Sequence, residues 1–103
     1  MKDGRSPNFS VGVDLVEYSR ARELWKSSGT RLRSILTSSE WKAVQRSSRP
    51  ERPLAAILAA KEAAFKASGK AWMGPAGFRS VRVPASVSYQ RTNRYFVASS
   101  AGT

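Results

Sequence analysis

The chain has 103 residues and a formal net charge of +11, with 18 Lys and Arg against 7 Asp and Glu. It contains no Cys and no His, which excludes disulfides, thiolate or imidazole metal ligands and a histidine general base. The length suits one small domain with one core, for which oligomerisation is a natural supplement, and the charge calls for an acidic or phosphorylated partner, nucleic acid included.

Residues 1–8 are polar and expected to fray. No long apolar core marks residues 1–10 as a signal peptide, and no apolar run approaches the ~20 residues needed to span a bilayer. Residues 9–15 alternate as a strand, with Phe9, Val11, Val13 and Leu15 on one face and Ser10, Gly12 and Asp14 on the other. A helical pattern follows over residues 16–27, with Arg20, Arg22 and Lys26 on it and Gly29 as its stop. Thr37-Ser38-Ser39-Glu40 reads as a capping box opening a helix through about Ser47 that buries Trp41 and Val44.

Residues 49–53 form a basic connector. Pro53 suits the first position of a third helix, and Gly69 suits the position just past its end. Gly74-Pro75-Ala76-Gly77 reads as a turn. Residues 78–83, 86–91 and 95–99 read as short strands, with Thr92-Asn93 as a hairpin turn. The order of strand, about three helices and then antiparallel strands predicts a single α+β domain.

Two carboxylates stand out. Asp14 ends an apolar strand pattern, and Glu62 shares a helix face with Leu54 and Leu58, each four residues apart. Taken singly, each has an ordinary explanation. Asp14 could cap the following helix, with Glu17 as its first-turn acid. Glu62 and Lys66 could be a surface i,i+4 pair. Taken together, in a chain without His or Cys, they suggest a hard cation held by oxygen ligands, with magnesium and a phosphate substrate the best fit.

Three segments, VGVDLVE at 11–17, ILTSSE at 35–40 and LAAKEAAFKASG at 58–69, together resemble the holo-acyl-carrier-protein synthase group of 4'-phosphopantetheinyl transferases. In that family they correspond to a G-[IV]-D-[IL]-V-E pattern, an FTxxE stretch and an AAKEAxxKAxG helix. The resemblance implies a phosphopantetheinyl-transferase-like α+β fold. It also implies transfer of the phosphopantetheine arm of coenzyme A to a serine of an acidic acyl or peptidyl carrier protein, with release of adenosine 3',5'-bisphosphate.

By this resemblance Asp14 and Glu62 hold magnesium, Glu62 or a water it holds is the base, and Lys66 meets the diphosphate. Lys61 and Gly69 belong to the same coenzyme-binding motif, and Glu17 aids the metal through water. Arg46, Arg49 and Arg52 are placed at the 3'-phosphate of coenzyme A, and Arg20, Arg22 and Lys26 at the carrier protein. A trimer and a cytoplasmic location follow by the same analogy.

The chain departs from the family in lacking its late Ser-His segment and in a shorter C-terminal part. Two other readings stay open. One is a family member that binds carrier protein or coenzyme A without efficient transfer. The other, less favoured, is a basic nucleic-acid-binding domain that would stack bases on Trp25, Trp41, Trp72, Tyr89 and Tyr95; no recognised motif of that class is present.

Overall fold

The computed structural model describes residues 10–68, 74–81 and 87–102. Strand β1 (Ser10–Glu17) leads directly into α1 (Tyr18–Ser27). Helices α2 (Gly29–Ile35), α3 (Ser38–Arg46), α4 (Glu51–Ser68) and α5 (Gly74–Arg79) follow. The hairpin of β2 (Ser88–Arg91) and β3 (Tyr95–Gly102) completes the order. The sheet is antiparallel, ordered β1-β3-β2. Its β1–β3 ladder runs unbroken from Ser10↔Gly102 to Glu17↔Tyr95. The α+β class and the strand–helices–strands order stand as expected, with five helices rather than about three among the described residues.

Helix α4 lies across one face of the sheet and packs against both β1 and β3. Its buried side is made almost wholly of alanine: Ala55, Ala59, Ala60, Ala63 and Ala67. Short side chains let the helix come close, and Gly12 meets it. A Cβ built on Gly12 would collide with the Ala63 carbonyl oxygen and lie 2.7 Å from the Ala67 nitrogen. The strand alternates as expected, but the side that packs on α4 carries Gly12 and, across the ladder, Phe96, Ala98 and Ser100. Val13 and Leu15 point away and are 52% and 51% exposed. Close approach to an alanine surface needs glycine, so the more apolar side of the strand is the outer one.

Local signals set several boundaries. The capping box is present: Glu40 N donates to Thr37 Oγ1 at 3.2 Å, and Thr37 N donates to Glu40 Oε1 at 2.8 Å. Trp25 and Trp41 stack at 4.8 Å between ring centroids and pack against the core. They therefore join helices rather than offer a stacking platform for bases, and Arg33 lies over Trp41 at 4.5 Å. Thr92 closes the hairpin, its Oγ1 accepting from Arg94 N and Tyr95 N at 3.1 Å each.

Four expectations need correction. The first strand runs two residues further, so Asp14 lies inside it and does not cap α1; Glu17 holds the N-cap position, without a side-chain cap bond. Only Ser28 separates α1 from α2, so Gly29 opens a second helix instead of ending the first. Pro53 is third, not first, in α4, still within the turn whose N–H groups lack helical acceptors. Residues 74–79 form α5 rather than a turn, and Phe78 belongs to it rather than to a strand, with Ser80 Oγ donating to Gly77 O at 2.9 Å at its end. Gly69, Trp72 and Phe9 lie outside the described residues.

At the start of α4, Glu51 is almost buried and accepts a 2.9 Å bond from Arg22 on α1. Burial works to raise its pKa, but the Arg22 hydrogen bond and charge prevail and hold it below the usual carboxylate value. The stabilisation this represents is present above the unfolded-state pKa and is lost as pH falls through the folded-state one.

Two predictions follow from this packing. Gly12→Ala should lower the free energy of unfolding by about 3 kcal/mol, the upper end of overpacking costs because the clash is with backbone. Gly29→Ala, where a Cβ meets nothing within 4 Å, should be neutral or stabilising by about 0.5 kcal/mol; urea titrations of both variants provide the comparison. Glu51→Gln should lower the thermal midpoint at pH 7, and melting curves repeated at pH 3 should show the gap closing.

Candidate functional site

The close contact at Gly12 determines where Asp14 goes. Two residues along β1 and on the same side, Asp14 is turned toward α4 with its side chain 21% exposed. Lys66 reaches across from α4. Its Nζ lies 3.2 Å from Asp14 Oδ1 and donates to the Val13 carbonyl at 3.2 Å. Glu62 lies one turn earlier on the same helix face.

Asp14 and Glu62 both face a cleft of about 510 Å³. Glu17 and Arg20, where β1 passes into α1, line it on one side. Val16, Leu24, Ile35, Leu58 and Phe78 supply apolar walls drawn from β1, α1, α2, α4 and α5. Burial raises the pKa of Glu62, and the like charge of Asp14 raises it further, against the smaller opposing pull of Lys66. A half-buried carboxylate with this bias is a stronger base than a solvated one.

The site can be tested for a divalent cation on these residues alone. No group of three or more Asp, Glu, His or Cys that could hold a metal occurs among the described residues. Magnesium does not require one. It commonly takes one or two carboxylates and completes its shell with water and substrate phosphate. Two carboxylates on one open cleft, with the charge of Asp14 raising the pKa of Glu62, fit that pattern, and a cation between them would relieve the repulsion.

Other residues singled out in the sequence are dispersed. Lys61 does not face the cleft: its side chain is 0% exposed and its Nζ lies 2.9 Å from Glu40 Oε1. It also donates to the Arg79 carbonyl at 2.6 Å and the Ile35 carbonyl at 3.2 Å. Wholly buried, with two hydrogen bonds and an ion pair inside the protein, it does not present its charge to a coenzyme, which corrects that expectation. Arg20 rims the cleft and makes a loose 3.4 Å contact with exposed Glu23. Arg22 is tied to Glu51, and Lys26 is exposed in the last turn of α1.

Arg46 and Arg49 are exposed near the start of α4, and Arg52 lies over the Tyr18 ring at 4.9 Å. Arg52 and Glu62 are ten positions apart in α4, about 15 Å along its axis, so this cluster stands well away from the carboxylates. The walls Leu24, Ile35 and Phe78 went unnoticed in the sequence. They come from three separate elements, and only Ile35 adjoined a motif.

Comparison with known proteins places this geometry in a family. The 4'-phosphopantetheinyl transferase superfamily matches residues 10–100. The holo-[acyl-carrier-protein] synthase of Yersinia pestis (strain Pestoides F) is 45% identical over 62 residues, covering 59% of this chain and 49% of the relative. That of Yersinia pseudotuberculosis serotype O:3 (strain YPIII) matches to the same extent. The chain thus spans about half the length of the curated relatives it matches.

The crystal structure of holo-[acyl-carrier-protein] synthase from Neisseria meningitidis superposes with a TM-score of 0.72 at 22% identity, covering 91% of this chain and 97% of the other. The holo-(acyl-carrier-protein) synthase of Bacillus anthracis str. Ames in complex with CoA (3',5'-ADP) gives 0.64 at 21% identity, with coverage of 90% and 94%. At these identities the structures speak to fold, and the family match covers nearly the whole described chain. The chain belongs to the 4'-phosphopantetheinyl transferase superfamily.

Proposed function

We propose that this chain transfers the 4'-phosphopantetheine arm of coenzyme A to a serine of an acyl or peptidyl carrier protein, releasing adenosine 3',5'-bisphosphate in a magnesium-dependent reaction. The observation that carries the reading is the convergence of Asp14 from β1 and Glu62 from α4 on one cleft, with Lys66 against Asp14. The names of the relatives and the coenzyme A in the Bacillus anthracis structure support the substrate.

The serine oxygen bonds to the phosphorus that carries pantetheine. The bond from that phosphorus to the bridging oxygen breaks, and the electron pair leaves with adenosine 3',5'-bisphosphate. The serine proton passes to Glu62 or to a water that Glu62 holds, which is the task its raised pKa suits. Lys66 is 48% exposed, free enough to turn from Asp14 and place its charge against the diphosphate. Asp14 and Glu62 would hold the magnesium, with Glu17 assisting through water; the ion would supply charge neutralisation and orientation of the diphosphate.

The basic surface suits an acidic partner. Arg20 beside the cleft, in loose contact with Glu23, and Lys26 further along α1 are the docking cations, and Arg22 contributes while bound to Glu51. Complementary charge would chiefly speed encounter and set orientation. Arg46, Arg49 and Arg52 would meet the 3'-phosphate. The exposed Val13 and Leu15 on the outer face of the sheet suit a subunit contact, consistent with a trimer. Among the described residues no helix is long and apolar enough to cross a membrane, and we place the reaction in the cytoplasm.

Intact-mass measurement of apo carrier protein, incubated with this chain, coenzyme A and magnesium, tests the reading. One phosphopantetheine arm should be gained, and Glu62→Gln or omission of magnesium should reduce the rate at least a hundredfold, the usual worth of a general base. Failure to modify any of several carrier proteins while coenzyme A still binds would favour a binding role instead. Independently of activity, millimolar magnesium should raise the thermal midpoint of the wild type and leave that of Glu62→Gln unchanged, because only an ion that binds the folded state stabilises it.

A further inference from the structure

We propose that Lys61 is a positioning residue for the transfer reaction, holding two walls of the Asp14–Glu62 cleft against the helix that carries Glu62. The inference rests on the transferase reading above. Lys61 immediately precedes Glu62 in α4, yet its side chain leaves the helix on another face and is wholly buried. Its two hydrogen bonds and one ion pair reach three different elements.

One partner is the Ile35 carbonyl at the end of α2, a second is the Arg79 carbonyl at the end of α5, and the third is Glu40 of the α3 capping box. The two carbonyls belong to helix ends, where backbone acceptors lack partners within the helix. Ile35 itself lines the cleft, and Arg79 adjoins Phe78, which does so too. The Phe78 ring lies 5.9 Å from Lys61 Nζ. Lys61 thus ties the helix that carries Glu62 to two elements that supply the apolar wall.

The arrangement is directional. Helix α5 packs mostly on α2, and Lys61 adds a hydrogen bond from α4 to the Arg79 carbonyl at its end. Glu40 Oε1 accepts from the Thr37 N–H and is ion-paired with Lys61, which fixes the carboxylate without spending it on Lys61 alone. A buried charge pair is weak evidence for a stability role, since apolar replacements are often tolerated. A three-point clamp between a reacting carboxylate and its cleft walls gives such a pair a positional use, where displacement of about 1 Å can cost a hundredfold in rate.

The test uses Lys61→Met combined with Glu40→Gln. This removes both charges together, leaves no lone buried carboxylate, and keeps a glutamine that can complete the capping box. Measurements are made at a temperature where melting curves show wild type and variant fully folded. The turnover number should fall at least tenfold, and the KM for carrier protein, which docks on α1, should stay within twofold. Hydrogen exchange in residues 74–81 should accelerate at least tenfold. Unchanged turnover overturns the proposal whether or not exchange rises, and so does a loss of turnover without faster exchange or with a parallel rise in that KM. An inactive wild type would overturn the transferase reading instead; the hold of Lys61 on the walls would then be decided by exchange alone, with unchanged rates in 74–81 counting against it.

Discussion

The depth to which α4 settles on the sheet governs the rest of the molecule. Where Gly12 faces Ala63 and Ala67, backbone approaches backbone with no side chain between. That contact sets which side of β1 looks inward, and Asp14 follows two residues later on that side. A bulkier residue at 12 would lift the strand and draw Asp14 away from Lys66 and Glu62. Packing and chemistry are therefore one constraint, in which the alanines of α4 provide the proximity and the polar residues one turn on use it.

Electrostatics divide the protein into two regions. The chain as a whole is strongly cationic, with a net charge of +11. The cleft concentrates three of the seven acidic residues, Asp14, Glu17 and Glu62. A carboxylate pair ringed by positive charge is attractive both to a cation at its centre and to an anionic partner at its edge. Long-range attraction would bring an acidic protein toward α1, while the local negative charge would be satisfied only when a cation and a diphosphate are bound together.

Legibility in the sequence tracked the range of the interaction involved. The Thr37–Glu40 box could be read because its bonds span three residues. Asp14, Glu62 and Lys66 could be read as a set because their motifs constrain chemistry as well as shape. The second helix was hidden because a single non-helical residue, Ser28, is enough to redirect the chain. The helix at 74–79 was hidden because Gly74-Pro75-Ala76-Gly77 has the composition of a turn, and its packing on α2 overrode that preference. Lys61 was misread because its motif suggested a ligand, although its place between Ala59, Ala60, Ala63 and Ala64, seven residues after buried Leu54, already marked an inward phase.

The long β1–β3 ladder joins the first strand to the last, and this bears on how the molecule comes into being. Asp14 pairs with Ala98, so among the described residues the strand that carries Asp14 has no sheet partner until the final strand has formed. Closure of so long a loop is entropically unfavourable and makes folding slower than its helical content alone would suggest. During synthesis, the helices can form and the α4 motif can assemble while β1 waits with one edge unpaired. The convergence of Asp14 and Glu62 on one cleft is then among the last features to appear, so its presence would report that the first and last strands have met.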